Sequence, residues 1–397
     1  MTPLRLFAIV FITASTCIAW FILGGALTAR TAQSGSTAGL SVREGWGPPL
    51  TQTQPVAWHE APGTKTARKA IRASGGNVRV ELAWEPRRKG LLWYRAYGVR
   101  FHGEYTFTNP APIPQTIYVQ FALPSAQASY SEFDLRLNGR PTTAHVSGGE
   151  PVTEAVNLEP GASATLVVSY KTRGLDQWAY SFGNEFRVQN FQLEMTTDFA
   201  EVDFPTASPT KRQRTTDGWS LLWNYPDEIG ARPVTINMPN VLNPGPVASR
   251  ITFFAPVSLI FFFGVLVVLC LMKGVDLHPM NFFFLAAGCF AFQLLFAYLV
   301  DLLPLGISFG ISAAVSLALV SGYLVLARGW KFARTAALAQ FTYMVLFSYS
   351  FFFDGLTGLT ITIGAIVTLA ILMAATARIN WSDRFKPRAT PPPFPAV

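Results

Sequence analysis

Five long apolar segments occupy the last third of the sequence. None of them contains Asp, Glu, Lys or Arg, and each is close to the ~20 residues that a helix needs to cross the hydrocarbon core of a bilayer. Lipid offers backbone amides no hydrogen-bond partner, and the segments are continuously apolar rather than alternating, so we predict transmembrane helices and exclude a β-barrel. The segments are Ile251–Met272, Asn281–Val300, Leu302–Ala327, Thr335–Phe353 and Gly355–Ala377.

Charge is sparse and unevenly distributed. Charged residues make up 14% of the chain, against about a quarter in an ordinary soluble domain. Much of the net charge of +8 lies between residues 328 and 334 and after residue 377. The positive-inside rule makes these segments cytoplasmic and puts the connections at Asp301 and Asp354 outside. The basic composition therefore requires no nucleic-acid partner.

The N-terminus contains a further apolar run, Leu6–Leu27, preceded by Arg5. It is longer than the ~7–15 residues of a secretory signal, which favours an uncleaved signal anchor over residues 1–30, although cleavage near Ala29 remains an alternative. The Ser- and Gly-rich stretch Thr31–Gly39 predicts a flexible exit from the membrane. With this anchor we expect six spans and both chain ends in the cytoplasm.

The segment between the anchor and the bundle predicts a β-rich periplasmic domain over residues 31–250. Val99, Phe101 and Tyr105 alternate with polar residues, which is typical of a half-buried strand. Asn138-Gly139 between two strand-like segments predicts a tight hairpin. Short strands without a long helical period favour an antiparallel β-sandwich. Further strands are predicted at Val78–Trp84, Thr116–Leu123, Glu132–Leu137, Ala164–Tyr170, Arg187–Met195 and Gly218–Tyr225.

The fold class predicted is thus a membrane α-helical bundle plus a β-rich periplasmic domain. The bundle comprises residues 251–379. A Pro-rich cytoplasmic tail covers residues 380–397, and its segment Pro387–Val397 is predicted to be disordered.

Polar residues near or inside the bundle are the candidate functional side chains. Asp301 and Asp354 end spans on the outer side and are candidates by position, although turn or interface roles also explain them. Gln293 and Gln340 lie within apolar segments, where they can bond across helices or line a path. His278 precedes Pro279 and is also explained by a role at the start of a helix.

Other motifs have simpler explanations. Gly306–Gly310 matches the G-x-S-x-G pattern of a nucleophile elbow, but its two glycines share one helix face and favour close helix packing. The histidines and cysteines lack metal-ligand spacing, so we expect no metal site, cofactor or catalytic residue. The basic runs Arg87–Lys89 and Lys211–Arg214 favour solvated loops over contacts with anionic headgroups or envelope polymers.

Several segments resemble a known family. Asn243–Pro246, Phe253–Leu259, Leu277–Asn281 and Ala297–Asp301 are similar to the inner-membrane protein family CreD, as is Gly45–Pro48. The segment that enters the last span matches the family only at Asp354, which indicates a divergent member. The resemblance implies a bacterial cytoplasmic-membrane protein associated with envelope integrity and colicin tolerance, without an established enzymatic activity.

The sequence therefore predicts a multi-pass, non-enzymatic inner-membrane protein of envelope maintenance with the β-sandwich as its interaction module. Expected partners are the lipid bilayer and envelope proteins or glycans, and the sequence leaves the oligomeric state open. The alternative is a transporter component or lipid-handling protein whose bundle forms a substrate path, with a polar cavity lined by Gln293, Gln340 and threonines. A membrane enzyme is a third hypothesis and needs catalytic groups around Asp301 and Asp354.

Overall fold

The structure is a computed structural model that describes residues 3–60, 68–142, 149–353, 355 and 357–377. It divides into two units. A helical unit comprises Met1–Gly35, Gly90–Leu92 and Leu242–Val397, and a β-rich unit comprises Ser36–Lys89 and Trp93–Val241. The predicted tail and Asp354 lie outside the described residues.

The first helix, α1, spans Pro3–Trp46 and contributes to both units. The strands of the β-rich unit follow it in sequence. They are β1 (Leu50–Thr53), β2 (Val56–Glu60), β3 (Arg68–Ile71), β4 (Ala73–Trp84), β5 (Arg87–Lys89), β6 (Leu92–Tyr94), β7 (Ala96–Thr108), β8 (Gln115–Phe121), β9 (Tyr130–Leu137), β10 (Arg140–Pro141), β11 (Val152–Leu158), β12 (Ser163–Leu175), β13 (Gln177–Ser181), β14 (Arg187–Thr197), β15 (Lys211–Arg214), β16 (Trp219–Ile229) and β17 (Val234–Asn237).

The strands form one large sheet and three smaller ones. The large sheet has eight strands in the order β10-β9-β12-β7-β4-β14-β16-β15. A second sheet has the order β11-β8-β2-β3, a third β1-β13-β17, and β5 pairs with β6. Most pairings are antiparallel, but β1 with β13 and β4 with β14 are parallel. The expectation of purely antiparallel pairing is therefore wrong at these two places, where strands distant in sequence meet.

Side-chain alternation explains the large sheet. Along β7 the odd-numbered residues from Val99 to Phe107 are buried, whereas Arg100, His102 and Glu104 are exposed, as predicted. The apolar face joins a core shared with residues of the two next-largest sheets. Inside this core the Tyr180 hydroxyl donates to the Tyr105 hydroxyl at 3.0 Å, which satisfies two buried polar groups.

A tight turn lies at Asn138-Gly139, where the sequence predicts a hairpin. Asn138 and Gly139 have φ values of 50° and 77°, and they connect β9 to β10 in an antiparallel pair. Positive φ at both central residues is the requirement of a type I′ hairpin. The predicted hairpin is confirmed.

The helical unit is built from apolar helices. Its helices after α1 are α2 (Pro244–Lys273), α3 (Pro279–Leu302), α4 (Leu305–Arg328), α5 (Trp330–Gln340), α6 (Phe347–Tyr349) and α7 (Thr357–Thr376). Within the described residues, five helices are long and apolar enough to cross a membrane: α1, α2, α3, α4 and α7. Their positions agree with the N-terminal apolar run Leu6–Leu27 and with four of the five bundle segments.

Two expectations for helices are corrected. The segment Thr335–Phe353 is not one α-helix, because the π-helix Phe341–Leu346 separates α5 from α6 and a 3₁₀ turn follows at Ser350–Phe352. The stretch Thr31–Gly39 is helical rather than a flexible exit. Its continuation is held by tertiary packing, because Val42 is buried with Ala96 and Leu175 of the β-rich unit.

Candidate functional site

Asp301 takes part in an ion pair of the helical unit. It lies near the end of α3, and its Oδ2 pairs with Nη2 of Arg30 on α1. Near the start of α1, Arg5 pairs with Asp276 at 2.6 Å, and this guanidinium holds the pKa of Asp276 below its ordinary value. The two arginines are separated by about 38 Å of helix, close to the thickness of a bilayer. These contacts indicate a structural role for Asp301. Its predicted neighbour, Asp354, lies outside the described residues.

His278 caps a helix. It is the N-cap residue of α3, its Nδ1 accepts a hydrogen bond from the Met280 amide at 3.2 Å, and Pro279 occupies the first turn. This geometry satisfies an amide that the helix itself leaves free. The predicted role at a helix start is confirmed for His278.

Gln340 belongs to a buried hydrogen-bond chain between helices. Its Nε2 donates to Ser316 Oγ at 3.0 Å, and that hydroxyl donates to the Gly288 carbonyl at 2.7 Å. The chain links α5, α4 and α3. Gln293 is also fully buried, and neither its amide nitrogen nor its amide oxygen has a hydrogen-bond partner among the described residues. Gln293 is therefore less well hydrogen-bonded than Gln340. Buried polar groups without a partner are costly in a membrane.

Close helix packing occurs at Gly288 rather than at the glycines of the G-x-S-x-G pattern. A Cβ added to Gly288 would lie 2.7 Å from Cγ2 of Val320, whereas one added to Gly306 or Gly310 would have no described atom within 4 Å. The helix-packing prediction for Gly306 and Gly310 is therefore wrong. Ser308, between them, donates to the Leu303 carbonyl at 3.3 Å.

An apolar groove, here called the helix groove, lies between α2, the π-helix and α7. Its volume is about 210 Å³. Thr342, Thr360 and Thr368 line it together with aromatic and aliphatic side chains such as Phe261 and Ile371. The alternative hypothesis predicts a polar cavity lined by Gln293, Gln340 and threonines. This groove contains threonines but neither glutamine.

A larger concavity, here called the sheet cleft, lies on the solvent face of the eight-stranded sheet. It has a volume of about 500 Å³, within the ~300–1,000 Å³ of typical ligand sites. Strands β4, β7, β12 and β9 contribute its lining. The charged residues of the lining are Glu81, Glu85, Arg100, Lys171 and Arg173.

The sheet cleft is a site that sequence reasoning missed. The alternation in β7 puts Arg100 on the polar face, but only the register brings Glu81 and Lys171 beside it. The sequence contains one signal for this site, because charged residues occupy the polar positions of several long strands. One sequence does not show which strands are neighbours, so the signal does not locate a cleft.

The basic runs are strands rather than loops. Arg87–Lys89 forms β5, and Lys211–Arg214 forms β15 at an edge of the large sheet with all four residues exposed. Cationic side chains at a sheet edge discourage pairing with other chains, which accounts for β15 without a ligand.

No group of three or more potential metal ligands occurs among the described residues. The three cysteines are free thiols. Within the described chain, the residues proposed for a membrane enzyme thus reduce to Asp301, which is engaged with Arg30.

A known protein family matches the part of the chain that ends the β-rich unit and forms the apolar bundle. The model of the family described as inner membrane protein CreD matches residues 211–382. Over these residues, the chain is similar to the CreD family. The match begins in β15 and extends past α7, and it confirms the resemblance that the sequence suggests. CreD is a family of inner membrane proteins. No curated protein matches the chain.

Solved structures give only distant likenesses. A candidate nutrient-binding protein from Legionella pneumophila is 10% identical, with 55% of this chain and 76% of that chain covered and a TM-score of 0.36. An M1 zinc metallopeptidase from Deinococcus radiodurans is 11% identical over 42% of each chain, with a TM-score of 0.28. A mutant of the Deinococcus peptidase is 12% identical over 81% of this chain and 96% of its own, with a TM-score of 0.26. Scores this low support no statement about activity.

Proposed function

We propose that the chain is a non-enzymatic inner-membrane protein that maintains the cell envelope, and that its β-rich unit is a periplasmic interaction module with the form of a β-sandwich. The observation that carries this proposal is the sheet cleft. A charged concavity of about 500 Å³ on the face of a sheet is suited to recognition. Similarity over residues 211–382 to a family of inner membrane proteins supports the location.

Site-specific crosslinking tests the interaction module. A photoreactive amino acid at Ser131, which lines the sheet cleft, is expected to capture an envelope component in living cells. The matched control is the same group at Lys69, an exposed residue of β3 in another sheet. Equal capture at both positions, or none at either, would refute the proposed module.

We further propose that α1 is a retained signal anchor, that the chain is multi-pass, and that both termini are cytoplasmic. Arg328, Lys331 and Arg334 around the α4–α5 connection support this orientation. Lys331 is exposed, so a cysteine there, in a chain whose own cysteines are replaced by alanine, tests it. Gly329 is less suitable because its φ of 82° disfavours a side chain. Labelling of Lys331→Cys by a membrane-impermeant reagent in intact cells would contradict the orientation.

Lipid handling is a second candidate function, favoured by the helix groove. The lining of this groove is mainly apolar and includes threonine hydroxyls. In a membrane, lipid tails surround any helix bundle and are therefore in contact with such a groove. Gly364 lines the groove and has no described atom near its Cβ position, so Gly364→Phe fills it. If lipid handling is the function, this variant abolishes it. If the β-rich unit carries the function, the variant behaves as wild type.

A further inference from the structure

The sheet cleft is built by the register of three neighbouring strands. Glu81, Arg100 and Lys171 form one row across β4, β7 and β12, and Ala83, Gly98 and Arg173 form the next row along the polar face. In the second row, Ala83 has only a methyl group and Gly98 has no side chain. The depression therefore lies over Ala83 and Gly98, between charged walls.

Gly98 forms the floor of this depression. A Cβ at Gly98 would lie 3.3 Å from Oε1 of Glu85 and 3.9 Å from Cβ of Ala83. Its φ is not positive, so glycine is not required there by the backbone. A larger side chain is compatible with the strand but occupies the cleft.

The charges of the cleft differ in their pairing. Arg100 pairs with Glu81, and Lys171 pairs with Glu132 at 2.5 Å. Arg173 forms no ion pair among the described residues. Its guanidinium lies 4.8 Å from the centre of the Trp46 ring, and stacking of this kind holds the planar group in place.

The local backbone fixes this arrangement. Gly47 follows Trp46 with a φ of 81°, and its Cβ position is 3.1 Å from the Arg173 carbonyl. The end of α1 thus approaches β12 closely because residue 47 is glycine. Trp46 also packs against a small core of Val42, Ala96 and Leu175. The Gly45–Pro48 motif therefore orients Arg173 toward solvent over the cleft.

The chemistry of the walls restricts the ligand. An oriented arginine without a carboxylate partner is a binding group for one carboxylate, with two parallel N–H donors. Glu85, across the floor at Gly98, is an acceptor whose described ion pair, with Arg87, is long at 3.3 Å. Ser129 and Ser131 add hydroxyl groups to the lining. A ligand that complements this set carries an anionic group beside several hydroxyl or amide donors.

We propose that the sheet cleft binds a carboxylate-bearing sugar of an envelope glycan, with Arg173 on the carboxylate and Glu85 accepting hydrogen bonds from the sugar. This inference rests on the proposed function of the β-rich unit as an interaction module. Charge complementarity with the unpaired Arg173 selects an acidic ligand, and the short floor at Ala83 and Gly98 suits one or two rings.

Calorimetric titration of the full chain in detergent micelles tests the ligand class. The probe is the disaccharide of N-acetylglucosamine and N-acetylmuramic acid, and the matched ligand is the disaccharide of two N-acetylglucosamines, which lacks the carboxylate. We expect at least ~10-fold tighter binding of the acidic sugar, since a charge-assisted hydrogen bond contributes about that factor. Equal binding of both sugars, or of neither, overturns the proposal.

Three variants locate the binding. Arg173→Gln is expected to weaken binding of the acidic disaccharide about 10- to 100-fold and to leave the neutral one unchanged. Gly98→Val is expected to abolish both by filling the floor. Arg136→Gln removes another exposed arginine, whose partner is Asp134, and is the matched control. Loss of binding in Arg136→Gln, or full binding in Gly98→Val, contradicts the assignment.

The outcomes separate this inference from the proposed function. If neither disaccharide binds but the Ser131 crosslinker captures a protein, the sugar assignment is wrong and the interaction module stands. The same holds if an acidic peptide competes for the cleft and the acidic sugar does not. If the crosslinker captures nothing, the module itself is refuted.

Discussion

Breaking the Arg30–Asp301 pair tests whether α1 is an integral part of the helical unit. Two unit charges in contact attract by about 1 kcal/mol in water and about 4 kcal/mol at an effective dielectric constant of 20. The side chains retain 42% and 26% of their exposure, so the site lies between these limits. We expect a coupling free energy of about 1–2 kcal/mol, above the ~0.2–1 kcal/mol of exposed pairs.

A double-mutant cycle measures this coupling. The variants are Arg30→Ala, Asp301→Ala and both together, unfolded in micelles by increasing dodecyl sulfate. Trp20 is fully buried on α1, so the change in tryptophan fluorescence on unfolding includes the release of this helix. Arg30→Ala is expected to cost about 0.5–1 kcal/mol more than Asp301→Ala, because Arg30 also lies 5.5 Å from the centre of the Tyr298 ring.

The Arg5–Asp276 pair is the matched control. Its side chains are 38% and 66% exposed, so its coupling is expected to be smaller, below about 1 kcal/mol. A coupling below about 0.3 kcal/mol for Arg30 and Asp301, or a larger one at Arg5 and Asp276, would refute the reasoning. Unchanged envelope permeability in Asp301→Ala cells would further exclude a catalytic role for this carboxylate.

Three further predictions concern packing and pH. Gly288→Val is expected to destabilise the helical unit by about 1–3 kcal/mol through overpacking, and Val320→Ala is expected to restore part of the loss, measured by the same unfolding assay. Tyr105→Phe leaves the donor of Tyr180 unpaired and is expected to cost about 1–3 kcal/mol, whereas the double Phe variant is expected to cost less than the two single changes combined; simple additivity in thermal unfolding would contradict this. Burial raises the pKa of several core tyrosines, so they stay neutral in the folded state while the unfolded chain ionises near pH 10. Stability is therefore expected to fall above that pH by up to about 1.4 kcal/mol per pH unit for each such residue, with tyrosinate absorbance rising together with unfolding rather than before it. These tyrosines are Tyr97, Tyr105, Tyr170 and Tyr180.

Local sequence patterns were sufficient to predict individual strands, turns and helices. The alternation of buried and exposed residues in β7 follows from the sequence because a half-buried strand has a period of two. The Asn138-Gly139 turn follows from the positive φ that both residues tolerate. Four apolar segments of the bundle are helices because lipid leaves the backbone no other partner.

Contacts between distant segments were not predictable in the same way. Both ion pairs of α1 join residues 271 positions apart, and no local pattern connects them. The helix over Thr31–Gly39 continues because Val42 finds a tertiary partner. The spacing of Gly306 and Gly310 suggests close packing, yet only the partner helix decides this, and in the structure it approaches Gly288 instead.

The candidate functional residues divide in the same way, into those with local partners, which were predictable, and those with distant partners, which were not. His278 was interpretable as a cap because its partner, Met280, is two residues away. The sheet cleft combines side chains from four strands with the stacking of Arg173 on Trp46, and these meet only through the sheet order. Gln293 and Gln340 were identified as buried polar groups, but the groove with threonines lies elsewhere in the bundle.

Envelope permeability provides the most direct test of the account. Cells that lack the protein are complemented with the full chain carrying either Gly98→Val, which fills the sheet cleft, or Gly364→Phe, which fills the helix groove, and uptake of an impermeant dye is measured at matched protein levels. If the β-rich unit carries the function, Gly364→Phe restores the barrier and Gly98→Val does not. Restoration by Gly98→Val together with failure of Gly364→Phe would contradict the account and assign the function to the bundle.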